Sequence, residues 1–341
     1  MDCFVGMLIS LLKIRSVNLT ELATAFPSDA QKESRYRRIQ RFIDGHFMSF
    51  DNVAWFIMYL FEFVENDYYL TLDRTNWKWG SKNINILMLA IAYKGTAIPV
   101  YWILLDKRGN SNTRERIALM KRFIKQFGKE HIRGVLADRE FIGEKWLKWL
   151  DSEGILFDIR IKKDAKVPNS QGIEVQAKKL FMFLKPGEKL TLPDARKMTG
   201  IKVYLSGLRL QDGELLIVAT NWLGDNAIEV YKERWQIETL FSCLKGRGFN
   251  LEDTHIISRL RIKRLLVVPV IAYCWAHRTG EWQHENVKAI KIKKHQRPAK
   301  SIFRAGLDYL RDTLFNVAYS LEQALQNLLQ FIDLKQCCQS L

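Results

Sequence analysis

The chain has 341 residues, of which 48% are hydrophobic and 26% charged, so it has the composition of a folded globular protein and intrinsic disorder is excluded as its dominant state. Lys and Arg number 53 against 37 Asp and Glu, and a net charge of +16 draws polyanions, nucleic acid first among them. At this length two or three structural units are expected. No uncharged apolar run approaches the roughly 20 residues of a spanning helix: Leu265–Ala276 holds twelve, and the longer stretch 84–105 is broken at Lys94-Gly95. Five cysteines without repeated spacing read as free thiols in a reducing compartment, and the cytoplasm is the expected location, with no membrane as partner. The apolar run Phe4–Leu12 lacks a preceding basic residue and a following cleavage pattern, which is poor support for a signal peptide.

Along the chain, the first fifty residues read as helices. Asn18 or Thr20 caps one that Pro27 stops, and a second runs from Asp29 to Asp44. Tyr36, Ile39 and Ile43 form its apolar face, and Arg35, Arg37, Arg38 and Arg41 make the remainder either a DNA-phosphate contact or a solvated basic surface. A helix around Val53–Val64 follows. The pattern then turns to strands: Tyr68–Asp73, then Ile84–Tyr93 and Ala97–Leu105 joined by a short turn at Lys94-Gly95-Thr96. A helix over Asn112–Phe127, a strand over Ile132–Asp138, a helix over Glu140–Leu150 and a strand over Gly154–Ile161 complete a mixed α/β pattern. From Lys162 to Gln211 the Pro and Gly content rises among short strand-like runs, a β-rich insertion. One more strand, Gly213–Thr220, leads into a long helix from about Asp225 to Gly246, and the rest is mostly helical.

Three carboxylates stand out. Asp73 and Asp138 each close a predicted strand, where open α/β sheets place functional groups, and Glu238 lies in the long helix. Strand-end acids are more often turn residues, but the helix alters the balance. Tyr231, Arg234, Glu238 and Lys245 stand at offsets 3, 7 and 14 from the tyrosine and share one polar face, while Ile237, Leu240, Phe241 and Leu244 supply an apolar stripe. The plainer alternative is an i, i+4 Arg–Glu pair on a solvated helix. Phosphodiester cleavage needs an activated oxygen and compensation of charge on phosphorus, which two divalent ions held by carboxylates provide.

The pattern Tyr231-x2-Arg234-x3-Glu238-x6-Lys245 resembles the YREK signature of bacterial insertion-sequence transposases, members of the DDE superfamily. The runs Leu70–Trp77 and Ala137–Phe141 resemble that family's regions around its first and second aspartates, so the likeness spans roughly Tyr68 to His255. It implies an RNase H-like mixed sheet with helices, interrupted by the β-rich insertion and flanked by helical ends. The expected divisions are a helical DNA-binding region 1–66, a catalytic core in two parts, 67–161 and 212–280, the insertion 162–211, and a basic helical region 281–341. It also implies Asp73, Asp138 and Glu238 as catalytic ligands of Mg2+ or Mn2+, with Tyr231, Arg234 and Lys245 on the DNA near the cleaved end. The activity implied is cut-and-paste cleavage and strand transfer on double-stranded DNA, element ends and target alike, by a homodimer on DNA. The rivals are an RNase H-like nuclease without strand transfer and a non-catalytic end-binding remnant.

Other candidates are weaker. Trp77 and Trp79 are expected to pack rather than stack on bases. Cys274 and His277, followed by His284 and His295, have zinc-like spacing but no second pair, so Cys274 is expected in the core. His255 is expected in a capping or loop role. No phosphate-binding Gly-rich loop is present, which argues against ATP dependence. From Ile256 to Leu307 twelve Lys or Arg face two Glu, with Lys288, Lys291, Lys293, Lys294, Arg297 and Lys300 densest and broken by Pro298, a phosphate-binding surface in expectation, the plainer alternative being a solvated helix and loop. Leucines in helical register over Ser320–Leu334 suit packing within the chain or on a second subunit.

Overall fold

A computed structural model describes residues 2–45, 49–294 and 296–316. The chain divides into two compact units. One holds the described residues up to Phe61, the short stretch Trp77–Ile84 and those from Phe241 onward; the other holds Glu62–Asn76 and Asn85–Leu240.

The first unit opens with helices α1 (Asp2–Ile14), α2 (Leu19–Ala25), α3 (Lys32–Gly45) and α4 (Phe50–Leu60). Asn18 caps α2 by accepting from the Thr20 amide, as its sequence position suggests. The apolar N-terminal run is α1, with most of its side chains buried in this unit. Ile39 and Ile43 are the buried positions of α3, as its periodicity predicts.

The chain then enters the second unit with β1 (Tyr68–Trp79), β2 (Lys82–Tyr93), β3 (Thr96–Leu104), α5 (Thr113–Phe127), β4 (Ile132–Ala137), α6 (Glu144–Ser152) and β5 (Phe157–Arg160). Short strands β6 (Lys166–Pro168), β7 (Glu174–Gln176), β8 (Lys189–Thr191) and β9 (Arg196–Met198) precede β10 (Ile201–Arg209) and β11 (Leu215–Thr220). The main sheet has the order β3-β2-β1-β4-β5-β11-β10-β8, with β9 paired to β10. β1–β4 and β4–β5 are parallel, while β5–β11, β11–β10 and β10–β8 are antiparallel. This is the mixed α/β sheet the sequence leads one to expect. The segment 162–211 is β-rich, but its strands β8 and β10 extend the main sheet at one edge, and only β6 and β7 form a sheet apart. Gly207 of β10 is required there, since a Cβ would lie 2.4 Å from the buried Phe181 ring.

The predicted long helix is not continuous. It comprises α7 (Ala227–Lys232), a 3-10 turn over Glu233–Trp235 and α8 (Gln236–Leu244). Tyr231 at the end of α7 and Arg234 in the turn lie together, 5.6 Å from guanidinium to ring centre, and both are buried rather than on the open face expected of them. Past α8 the chain continues with α9 (Arg259–Leu265), α10 (Val267–Trp282) and α11 (Ile302–Asn316). α10 and α11 approach backbone to backbone. A Cβ on Gly306 would stand 1.8 Å from the Ala276 carbonyl oxygen, and one on Gly280 2.0 Å from that of Ile302. Cys274 and His277 are buried in α10. The described residues of the basic stretch, 288–294 and 296–300, are irregular rather than helical, with a bridge between Ile292 and Pro298. Alternating lysines without an apolar stripe give a helix there nothing to bury. His295 and the leucine-rich segment Ser320–Leu334 lie outside the described residues. No single described helix is long and apolar enough to cross a membrane.

Candidate active site

The site follows from strand register. Parallel pairing of β1 with β4 ends at Leu72 opposite Ala137, so the next residues, Asp73 and Asp138, come side by side on one face of the sheet. Asp73 does not close its strand, as the sequence suggests; β1 runs on to Trp79, and it is the pairing with β4 that stops. Trp77, on that continuation, is buried, as expected of a packing aromatic.

Two charged residues just past the aspartates, Arg74 one position after Asp73 and Glu140 two after Asp138, brace this edge. Arg74 grips Glu140 with two bonds, Nε to Oε1 at 2.8 Å and Nη2 to Oε2 at 2.9 Å. The same guanidinium donates to Asn85 and Asn110 at 2.9 and 3.0 Å. Glu140 stands in the 3-10 turn Arg139–Phe141 that follows Asp138, and Arg116 from α5 donates to its carbonyl at 3.0 Å. Burial draws the Arg116 guanidinium down to about 10 despite the carboxylates near it. Such bidentate Arg–carboxylate pairing fixes geometry as well as charge.

Over this edge lies the turn between α7 and α8. Tyr231 is fully buried in a cluster with Leu216, Val218 and Ile228, and its hydroxyl donates to Asp138 Oδ1 at 3.4 Å. Arg234 is only 4% exposed. Its Nη1 lies 3.5 Å from Asp73 Oδ2 and its Nη2 donates to Glu238 Oε1 at 2.8 Å, while its Nε has no hydrogen-bond partner. The Glu238 side chain is 54% exposed and that of Asp73 18%. One guanidinium is thus shared by the first and third acids, and it neighbours the second.

Asp73 is electrostatically frustrated. Burial pushes its carboxyl up to about 7; the Arg74 amide, donating at 2.7 Å, and Arg234 pull it down, and Glu140 and Asp138 push it up again. Arg234 is itself held above its ordinary range: burial lowers it, but Tyr231, Glu238, Asp73 and Asp138 outweigh that. Tyr231 is raised by burial.

The sequence pattern puts Tyr231 and Arg234 on an open DNA-facing surface. The structure buries both around the carboxylates. Lys245 belongs to the other unit, just past the end of α8, where it pairs with Glu252 at 2.7 Å and lies 5.9 Å from the Trp77 ring centre. Arg37, Arg38 and Arg41 are exposed on α3, and Lys291 and Lys294 in the irregular basic stretch, all in that same unit. His255, with a left-handed φ of 53°, stacks on Trp79 at 4.0 Å and bonds Asp253 at 2.6 Å, a loop role.

Carboxylate oxygens are the donor chemistry that hard divalent ions take, and burial, the main cause of the raised Asp73 value, favours a cation beside its charged form. Among the described residues, however, no three Asp, Glu, His or Cys side chains stand close enough together to hold a metal ion. The donor set fits in chemistry, and Arg234 supplies the positive charge in the arrangement seen.

A basic protein whose mixed sheet sets two aspartates side by side, with a helix glutamate facing them across one arginine, belongs among proteins built for phosphodiester chemistry. The chain is a member of the transposase DDE domain family, whose model matches residues 40–275, and it is a DNA transposase of the insertion-sequence kind. Membership carries DNA as the partner and divalent metal as the usual need of the family. A cryo-EM structure described as the piggyBac transposase synaptic complex with hairpin DNA is similar at 11% identity and a TM-score of 0.41, over 97% of this chain and 75% of that one. No curated protein matches the sequence significantly.

Proposed function

We propose that Asp73, Asp138 and Glu238 are the catalytic carboxylates of metal-dependent DNA cleavage and strand transfer, and that the chain is of the YREK subclass. The observation that carries this is the convergence of Asp73 and Glu238 on the buried Arg234, with Asp138 in register beside Asp73. These three would hold Mg2+ or Mn2+, which when bound supplies activation of the attacking oxygen and compensation of charge on the scissile phosphate.

The chain's own residues do the positioning. The Arg74–Glu140 clamp and the Arg116 bond to the Glu140 carbonyl fix the turn that carries Asp138. Tyr231 orients the Asp138 carboxylate by donating to it. Arg234 neutralises Asp73 and Glu238 in the free protein. Lys245 and the exposed arginines of α3 contact DNA as point charges, and two subunits act together, each on one element end.

The test is cleavage of linear DNA carrying the sequences that flank the gene, with Mg2+, followed by joining of a pre-nicked end that presents a free 3′-hydroxyl. Parent protein cuts and joins. Asp73→Ala, Asp138→Ala and Glu238→Ala each abolish both steps and leave binding of the same DNA within about twofold. Cleavage without joining would reduce the activity to that of a nuclease, and a variant that cuts like the parent would remove that residue from the catalytic set.

A further inference from the structure

The second unit contains a cationic groove that the carboxylate chemistry does not use. It occupies about 680 Å3 and lies between the end of β5, the β10–β11 hairpin and the 3-10 turn Ala177–Leu180. Seven Lys or Arg side chains line it against two carboxylates, Asp164 and Glu214. Arg139, Lys162, Lys163, Lys178 and Lys179 are all exposed, and none of these five makes a side-chain ion pair or hydrogen bond among the described residues. Unpaired like charges gathered in one concavity repel one another and gain nothing for the fold, so their energy is recovered only by an external anion.

The two remaining cations differ. Arg209 is engaged in the fold, donating to the carbonyls of Leu184, Gly213 and Met182 at 3.3, 3.1 and 3.3 Å. Arg160 forms the floor, its side chain 19% exposed, and is paired with Glu214, whose side chain is 53% exposed. Position joins this groove to the carboxylate cluster. β4–β5 pairing sets Ala137 opposite Ile159, so Arg160 follows in register beside Asp138, and Arg139 is the next residue in the chain. Arg160 also acts electrostatically on Tyr231. The groove therefore begins where the carboxylates end.

We propose that this groove takes the phosphate backbone of the DNA strand leading away from the cleaved bond, and that Glu214 is a placeholder which an incoming phosphate displaces from Arg160. The proposal rests on the catalytic assignment of Asp73, Asp138 and Glu238 for its direction along the strand. The chemistry favours a repeating phosphate ligand over a single small anion. Four lysines act as point charges spread along the walls, while one arginine at the floor offers the planar fork that matches phosphate. A carboxylate on that fork imitates the phosphate geometry, and being more than half exposed it leaves at little cost.

The probe is a fluorescein-labelled 30-base-pair duplex of the flanking sequence, with affinity followed by anisotropy across a salt titration. The combined variant Lys162→Ala, Lys163→Ala, Lys178→Ala, Lys179→Ala lowers the log–log salt slope by about 0.9 for each phosphate left without its lysine, up to about 3.6 in all. Glu214→Gln tightens binding about three- to tenfold by freeing Arg160, and Arg160→Gln placed on top cancels that gain. Glu174→Gln, an exposed site on β7 with the same change of charge, leaves affinity within twofold. A parental slope in the four-lysine variant, or a Glu214→Gln protein that binds no tighter, overturns the proposal. So does a gain that survives Arg160→Gln or that Glu174→Gln reproduces. Groove variants that behave like the parent while Asp73→Ala loses cleavage remove the groove alone. A reduced slope in the lysine variant with normal cleavage by Asp73→Ala removes the catalytic assignment and, with it, the direction assigned to the strand.

Discussion

The sharpest consequence of the sheet's interior concerns Asp158 of β5, a fully buried carboxyl in register with Leu136, one row before Asp138 on the same face of the sheet. Its Oδ2 accepts from Trp222 Nε1 at 3.3 Å, and its Oδ1 has no partner. Tyr69 feels its charge, and no cation pairs with it among the described residues. Burial pushes this carboxyl from 3.8 up to about 7, the Trp222 bond opposing only in part. The folded protein then holds a proton that the unfolded chain has released, so stability falls as pH rises from about 4 to about 7 and is level above that. A shift of about 3 units corresponds to about 4 kcal/mol. Asp158→Asn keeps the shape and removes the titration. Near pH 4 it should match the parent within about 1 kcal/mol, and at pH 8.5 it should be the more stable protein by about 2–4 kcal/mol. Urea unfolding followed by far-UV circular dichroism at pH 5.0 and 8.5 measures this, with the gap between variant and parent widening by about 2 kcal/mol or more. A gap that does not change with pH, or a variant less stable at pH 8.5, would refute an uncompensated buried carboxyl at this position.

Arg234→Ala should cost about 3 kcal/mol or more in urea unfolding, because it strands the buried Asp73 carboxylate. Lys245→Ala, which breaks a half-exposed pair with Glu252, should cost less than about 1 kcal/mol; equal costs would contradict the different burial of the two. Gly207→Ala drives a methyl to within 2.4 Å of Phe181 and should destabilise by about 1–3 kcal/mol. Phe181→Leu in the same chain should recover part of that stability, and no recovery would place the strain elsewhere.

The sequence by itself determined most of the elements and marked the candidate acids. Aromatic, β-branched and apolar runs marked the strand that carries Asp73 and the one that leads to Asp138, Asn18 announced its helix, and the four-residue pattern around Glu238 marked that residue as a candidate, because composition and capping are local properties written in neighbouring residues. Where burial depends on distant residues, the pattern misleads. Tyr231 packs on Leu216 and Val218, and Arg234 lies against Asp73, contacts with no mark in the neighbouring residues, so both read as surface residues when they are core. Tertiary structure alone decided the pairings that depend on register across distant strands. Nothing near Arg74 in sequence indicates that it clamps Glu140, 66 positions on, or that Arg160 stands beside Asp138. Those contacts are set by which strands lie adjacent and by where parallel pairing stops, and they are fixed only when the whole sheet has formed.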